Sequence, residues 1–153
     1  MVFTRDREVL FDRLDDALQR AHAPERDLFA KIVNGACTRL PLVPGKAEQI
    51  DRLIASGAWT DAALALVALE LPAWTVRRLA YDHGEWVCSL SRQPNLPETL
   101  DETADASHVL MPLAILRALV QAHRMADIAQ RTTPHVPQIA IGAGTAICCE
   151  NFA

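Results

Sequence analysis

Most of the features that identify a catalytic or membrane protein are missing from this sequence. Its 153 residues contain no H-E-x-x-H motif, no phosphate-binding G-x-x-x-x-G-K-[ST] loop and no G-x-S-x-G nucleophile turn. The longest uncharged stretches are shorter than the ~20 residues that a membrane-spanning helix needs. The first residues are rich in charge and lack the apolar centre of a secretion signal. We therefore expect a cytoplasmic protein that does not associate with a membrane.

Basic residues are too few and too scattered for a nucleic-acid-binding protein. The net charge is −4, and Lys31 and Lys46 are the only lysines. Because a nucleic-acid partner requires a basic surface, we expect none. The preference for arginine is typical of a GC-rich genome and favours a bacterial source. The acidic cluster from Glu98 to Asp105 predicts a solvated loop, with a docking surface for a basic protein as the alternative.

Cysteine is scarce, and its spacing fits neither a zinc site nor a redox motif. The four cysteines are Cys37, Cys88, Cys148 and Cys149, and no two of them form a C-x-x-C pair. In a reducing compartment we expect them to pack as small apolar residues. The pattern leaves open whether Cys148 and Cys149 are reactive. It predicts no metal and no cofactor.

The hydrophobic periodicity predicts about five helices. Apolar residues recur at helical spacing over residues 4–21, 24–35, 46–55, 61–71 and 112–131. Pro24 is expected at the start of the second helix and Gly35 at its end. The fourth helix is apolar on nearly every side, which predicts a central, buried position.

Between the fourth and fifth helices the apolar period changes to two. Thr75–Tyr81 and Glu85–Ser91 predict a β-hairpin whose turn contains Gly84. A third strand is expected at Gln138–Ile141 or Thr145–Cys149, whereas residues 92–108 are expected to form a surface loop. The predicted class is α+β, mostly helical with a small antiparallel sheet, in a single domain of residues 1–153.

Two weak motifs have structural interpretations. Gly142-Ala143-Gly144 starts as a dinucleotide-binding loop does, but no helix follows it and a turn is expected. The hairpin contains Asp82, His83, Ser89 and Ser91, the residue types of a hydrolase, without the turn that presents a nucleophilic serine. No catalytic residue is predicted from these patterns.

The aromatic residues are concentrated around the hairpin. Trp59, Trp74, Tyr81 and Trp86 predict either core packing or an aromatic groove or dimer surface. An alternative site is a pocket between the 75–91 hairpin and the 112–131 helix, lined by Trp86, Cys88, Arg92 and His123. There Arg92 would orient an anionic group, and Cys88 or His123 would do the chemistry.

The segment 70–94, ELPAWTVRRLAYDHGEWVCSLSRQP, resembles a group of short uncharacterised alphaproteobacterial proteins. A weaker likeness continues through residues 112–116, so the resemblance covers about a third of the chain. The group has no assigned activity. The resemblance implies a bacterial, cytoplasmic origin and identifies the hairpin as the most distinctive part of the sequence.

Together these features favour a small non-enzymatic interaction module that self-associates as a homodimer. The alternative is a small-molecule binding protein or an enzyme that uses the pocket described above. The sequence leaves open the substrate or partner, the pathway and the oligomeric symmetry. It also leaves open whether the C-terminal strands pair within or between chains.

Overall fold

The computed structural model describes residues 2–132, with side chains from residue 5 onward. In that range a layer of helices packs on one face of a three-stranded antiparallel sheet. The helices are α1 (Val2–Arg20), α2 (Arg26–Ala36), α3 (Pro44–Ala55), α4 (Trp59–Glu70) and α5 (Met111–Thr132), with a 3-10 turn at Leu40–Leu42. The strands are β1 (Thr75–Asp82), β2 (Glu85–Ser91) and β3 (Thr103–His108). The predicted class, α+β and mostly helical with a small antiparallel sheet, is confirmed.

Both ends of α2 differ from the prediction. The helix begins at Arg26 because Glu25 has an extended backbone, so Pro24 precedes the helix instead of opening it. Gly35 lies inside the helix, where α1 packs closely against it. A Cβ at this position would lie 3.0 Å from Cδ1 of Leu14. The glycine therefore permits close helix packing and does not end the helix.

The hairpin of β1 and β2 forms as predicted. His83 and Gly84 make a two-residue turn, and both have positive φ, 49° and 90°. Positive φ at both central residues is the conformation of a type I′ turn, whose twist matches that of the strands. Arg77 is an extra residue in β1, a β-bulge between the partners of Val76 and Arg78. Regular pairing in β1 therefore runs from Arg78 to the turn.

The third strand is not where the sequence predicts it. Thr103–His108 form β3, so the prediction of a surface loop over residues 92–108 is wrong for these six residues. Their sequence, TADASH, contains no Val, Ile or aromatic residue and gives little strand signal. Small side chains suit this position because α5 packs directly on β3 and buries Ala104. The predicted strands 138–141 and 145–149 lie outside the described residues.

Helix α5 forms the centre of the core. It packs against α1, α4, β2 and β3, and its buried residues include Leu116, Leu119 and Val120.

The expectation that the fourth helix is central needs correction. Leu66 and Val67 of α4 are buried, but Leu64 and Leu69 on its other sides are only half-buried. Among the elements of residues 2–132, α3 and α5 make the extensive contacts with this helix, and these two cover its apolar surface in part.

A buried carboxylate at the end of α4 holds the segment that contains the 3-10 turn. Glu70 is 5% exposed, and its oxygens accept backbone N–H bonds from Thr38, Arg39 and Leu40 at 2.7–3.2 Å. These bonds satisfy the buried charge. They also link two segments about thirty residues apart in the chain, so α4 fixes the path between α2 and α3.

A second carboxylate holds the connection between β2 and β3. The side chain of Asp101 is 2% exposed and accepts hydrogen bonds from the Ser91 hydroxyl at 2.6 Å and the Arg77 guanidinium at 2.5 Å. Arg77 also donates to the carbonyl of Leu96 at 2.9 Å. The bulge residue thus ties residues 92–102 to the start of β1.

Within residues 2–132, no helix is long and apolar enough to cross a membrane.

Candidate interaction surface

Cys88, a predicted site residue, lies in the hydrophobic core. It lies in the central strand β2 and is completely buried. Burial raises the pKa of its thiol to about 11, and the negative charge of Asp105 acts in the same direction. Burial likewise raises the pKa of Cys37 to about 12. Because the thiolate is the reactive form, neither thiol is a nucleophile at neutral pH.

His123, also predicted as a site residue, is buried in the core on α5. Its ring stacks on Phe11 with a centroid distance of 6.3 Å and an interplanar angle of 11°. Among the described residues its Nε2 has no hydrogen-bond partner. Burial is the largest effect and lowers the pKa of His123. The negative charge of Glu70 opposes it, the charge of Arg7 lowers the pKa further, and Asp127 has the smallest, opposing effect. The imidazole is therefore neutral at neutral pH.

Trp86 and Arg92 lie apart, each against another aromatic ring. The half-buried Trp86 contacts Tyr81 with ring centroids 5.4 Å apart. The guanidinium of Arg92 lies over Trp74, 5.1 Å from the ring centroid. In residues 5–132, no hydrogen bond, ion pair or ring contact joins any two of the predicted residues Trp86, Cys88, Arg92 and His123. Instead, Cys88 and Leu90 of the hairpin are completely buried where β2 packs on α5.

The hydrolase-type residues of the hairpin are also separated. His83 is at the turn, its side chain 92% exposed, with Nδ1 2.6 Å from the Asp82 carboxylate. The Ser89 hydroxyl donates instead to Asp105 of β3. A catalytic triad needs a serine–histidine hydrogen bond, and these two residues have different carboxylate partners. The described part of the chain also contains no group of three His, Cys, Asp or Glu that could hold a metal ion.

An open groove of about 760 Å³ lies between α1 and α2. Its walls are mostly apolar, and its charged residues, Arg13, Asp27 and Lys31, carry both signs. A catalytic pocket typically has a few convergent polar groups. With mostly apolar walls and charges of both signs, this groove has the character of a helix-packing surface.

Strand β1 is an edge of the sheet. Its only strand neighbour among the described residues is β2. In a hairpin with a two-residue turn, Asp82 and Glu85 form a hydrogen-bonded pair, so the backbone groups of Asp82, Ala80 and Arg78 point toward β2. The backbone N–H and C=O groups of Leu79 and Tyr81 alternate with these and point away from the sheet. No strand of residues 2–132 pairs with them.

The apolar face of β1 extends beyond the helical layer. Val76, Leu79 and Tyr81 share the face of the sheet on which α5 packs, as their cross-strand partners Leu90, Cys88 and Trp86 show. Helix α5 packs against β2 and β3, whereas the extensive contacts of β1 are with β2. Tyr81 is accordingly 61% exposed, and Val76 is exposed as well. We call this edge, with Val76, Leu79, Tyr81 and Trp86, the β1 surface.

The opposite face of β1 carries two exposed charges near the same edge. Arg78 and Asp82 lie on this outer face, four residues apart in the strand. Arg78 has no hydrogen-bond or ion-pair partner in residues 5–132. Within residues 5–132, the edge at β1 therefore combines unpaired backbone groups, the exposed apolar side chains of the β1 surface and, on the opposite face, the unpartnered cation of Arg78. This combination suits the addition of a strand from another chain.

The sequence identified part of this surface. The aromatic cluster pointed to Tyr81 and Trp86, and a dimer surface was one of its two interpretations. Leu79 is not part of the aromatic cluster, and Val76 was missed because the bulge at Arg77 shifts the alternation by one residue. A pattern of strict alternation places Val76 on the opposite face from Leu79, whereas the bulge puts them on the same face.

A scan against protein-family models, a search of curated proteins and a search of solved structures each found no match to this chain. The resemblance of segment 70–94 to alphaproteobacterial proteins therefore stays a prediction. The function is inferred from the geometry of the chain itself.

Proposed function

We propose that the protein is a non-enzymatic interaction module that self-associates as a homodimer through the β1 surface. The observation that carries the proposal is the edge of the sheet at β1, which pairs with no strand of residues 2–132 other than β2 and exposes Tyr81 on its apolar face. Unpaired edge strands are ready to pair with other strands, and a second copy supplies an identical edge.

The composition of β1 supports this proposal. Natural proteins protect edge strands with charged side chains, above all lysine, and with proline, strand shortening or bulges. The sequence of β1, TVRRLAYD, contains neither lysine nor proline. Its charged residues are Arg77, Arg78 and Asp82, and the bulge at Arg77 leaves the half of the strand near the turn regular. The opposite edge differs, because β3 has a polar sequence and lies under α5. An approaching strand therefore finds apolar surface at β1.

The alternative, a small-molecule binding protein or an enzyme, has less support. Its pocket would lie between the hairpin and α5, where Cys88 and Leu90 are completely buried. A ligand there would have to displace core side chains. A cytoplasmic bacterial setting, without a nucleic-acid partner, remains part of the proposal. It is supported by the free thiols of Cys37 and Cys88 and by the net charge of −4.

The test is the oligomeric state of two matched variants. Tyr81 and Val109 are 61% and 60% exposed, but only Tyr81 lies on the β1 surface. Native mass spectrometry and light scattering after gel filtration would compare Tyr81→Lys and Val109→Lys with the wild type. We expect the wild type and the Val109→Lys variant to be dimeric. For Tyr81→Lys we expect the dissociation constant of the dimer to rise about tenfold or more.

Two results would contradict the proposal. One is a wild-type protein that stays monomeric at concentrations of tens of micromolar. The other is equal dimerisation of both lysine variants, which would place the interface elsewhere. Thermal unfolding of both variants shows whether a loss of dimer comes from the interface or from the fold.

A further inference from the structure

We infer that the dimer forms by antiparallel pairing of residues 78–82 of β1 in both copies, with the two-fold axis at Ala80. Leu79 then lies opposite the partner's Tyr81, and Arg78 lies opposite the partner's Asp82. The inference rests on the proposed function and specifies which residues meet in the dimer. The result is one continuous six-stranded sheet built from two three-stranded halves.

Symmetry leaves few ways to pair β1 with its copy. In an antiparallel pair, residues directly opposite each other point to the same face of the sheet. A two-fold axis perpendicular to the sheet also keeps each residue and its copy on the same face. The axis must therefore pass between one residue and its own copy in the partner. Near the middle of the strand this residue is Leu79 or Ala80. Both registers use the free backbone groups of Leu79 and Tyr81.

The bulge favours the register centred on Ala80. Centring on Leu79 puts Arg77 opposite the partner's Tyr81 and Val76 opposite the partner's Asp82. That ladder runs through the bulge, where the spacing of backbone groups is irregular. Centring on Ala80 uses only residues 78–82, which pair regularly with β2.

The charges favour the same register for a separate reason. Centred on Ala80, the unpartnered Arg78 lies opposite the partner's Asp82, and symmetry forms this pair twice on the outer face. Centred on Leu79, Arg78 lies opposite the partner's Ala80, and Asp82 lies opposite the apolar Val76. Opposite charges stabilise directly opposed positions of an antiparallel pair. Only the Ala80 register gives the charges of β1 opposite partners.

The apolar face is also complementary in this register. Leu79 of each copy packs beside the partner's Tyr81, whose ring already contacts Trp86. The two symmetric contacts cover the exposed aromatic ring that α5 leaves uncovered. Aromatic and aliphatic side chains in opposed positions are favourable cross-strand pairs.

Disulfide trapping tests the register. In a background with Cys148→Ser and Cys149→Ser, we would compare Ala80→Cys with Leu79→Cys under mild oxidation. The Ala80 register makes Ala80 a non-hydrogen-bonded pair with its own copy, with Cα atoms about 4.5 Å apart, within disulfide range. The two Leu79 positions are then diagonal neighbours about 7–8 Å apart, which is too far. The buried thiols of Cys37 and Cys88 remain unreactive.

We expect rapid formation of a covalent dimer by Ala80→Cys and at least about tenfold slower formation by Leu79→Cys. The reverse order indicates the Leu79 register and overturns the inference. A dimeric protein in which neither variant cross-links also overturns it, while the proposed function stands. A monomeric wild type overturns the proposed function and the inference together.

A charge exchange gives an independent test. Arg78→Asp and Asp82→Arg each place like charges opposite each other in their own homodimers, and we expect an about tenfold weaker dimer for each. A mixture of the two variants restores both Arg–Asp pairs, so a heterodimer forms with near wild-type affinity. The matched control mixes Asp82→Arg with Arg52→Asp, a change on the exposed face of α3. Its heterodimer regains one Arg–Asp pair but keeps one Arg–Arg pair, so we expect a weaker heterodimer than in the charge-exchanged mixture. Equal behaviour of the two mixtures contradicts the register.

Discussion

Replacing Glu70 should destabilise the protein more than any change to an exposed acidic residue. This buried carboxylate accepts hydrogen bonds from three consecutive backbone N–H groups, at residues 38–40. In Glu70→Gln one oxygen remains as an acceptor, and an amide NH₂ replaces the other. That NH₂ is a hydrogen-bond donor and faces backbone N–H groups, which are donors as well. The backbone N–H of Thr38 therefore loses its acceptor.

The magnitude follows from these bonds. A hydrogen bond to a charged group contributes about 1.5–3 kcal/mol, and a buried group left unpaired costs about 1–3 kcal/mol. We therefore expect Glu70→Gln to lower the free energy of unfolding by about 2–3 kcal/mol. Glu70→Ala, which removes every acceptor, should lower it by about 4–5 kcal/mol. Since domains of this size have a total stability of about 5–15 kcal/mol, the alanine variant should be close to unfolding.

Urea denaturation followed by circular dichroism measures the effect. All proteins should be compared at one concentration, because the stability of a dimer depends on concentration. The control is Glu48→Gln, an exposed carboxylate on α3, which should change the stability by less than about 0.5 kcal/mol. If Glu70→Gln also changes it by less than about 0.5 kcal/mol, the carboxylate does not hold this segment and the reasoning is refuted.

Two further predictions concern buried polar groups. Burial lowers the pKa of both His108 and His123 in the folded protein. As the pH falls, the unfolded chain therefore binds more protons than the folded chain, and stability that is present above about pH 6.5 is lost. Because Nε2 of His123 has no partner among the described residues, His123→Leu should keep the stability near neutral pH and flatten the decline toward about pH 5. An unchanged pH slope in urea titrations would count against this. Asp101→Asn should weaken the bonds to Ser91 and Arg77 and speed proteolysis within residues 92–102, and an unchanged cleavage rate would show that other contacts hold this segment.

The elements with strong local signals were predicted closely. The hairpin needs little beyond its own residues, because alternating strands and a glycine with positive φ specify it locally. The helices follow from apolar residues at helical spacing, and their predicted ends differ by a few residues from those observed. The exception, Gly35, is explained by the neighbouring Leu14 on another helix, which no local pattern contains.

The third strand could not be predicted because its stability comes from its neighbours. Apart from Thr103, residues 103–108 contain no residue that favours a strand, but β2 supplies hydrogen bonds on one side and α5 covers one face. The buried role of Glu70 was missed for the same reason, since its three donors are some thirty residues away in the chain. Long-range partners leave no trace in local periodicity.

The candidate site shows the same division. The sequence by itself determined the aromatic cluster, the hairpin and the helices, because side-chain period and turn chemistry act over a few neighbouring residues. It could not decide which of the aromatic residues are covered. Only the tertiary structure decided that α5 lies on β2 and β3 and that the bulge puts Val76 and Leu79 on one face. It also decided that, among the described strands, β1 is an edge with Tyr81 exposed. Coverage depends on where distant elements pack, and packing is a property of the whole fold.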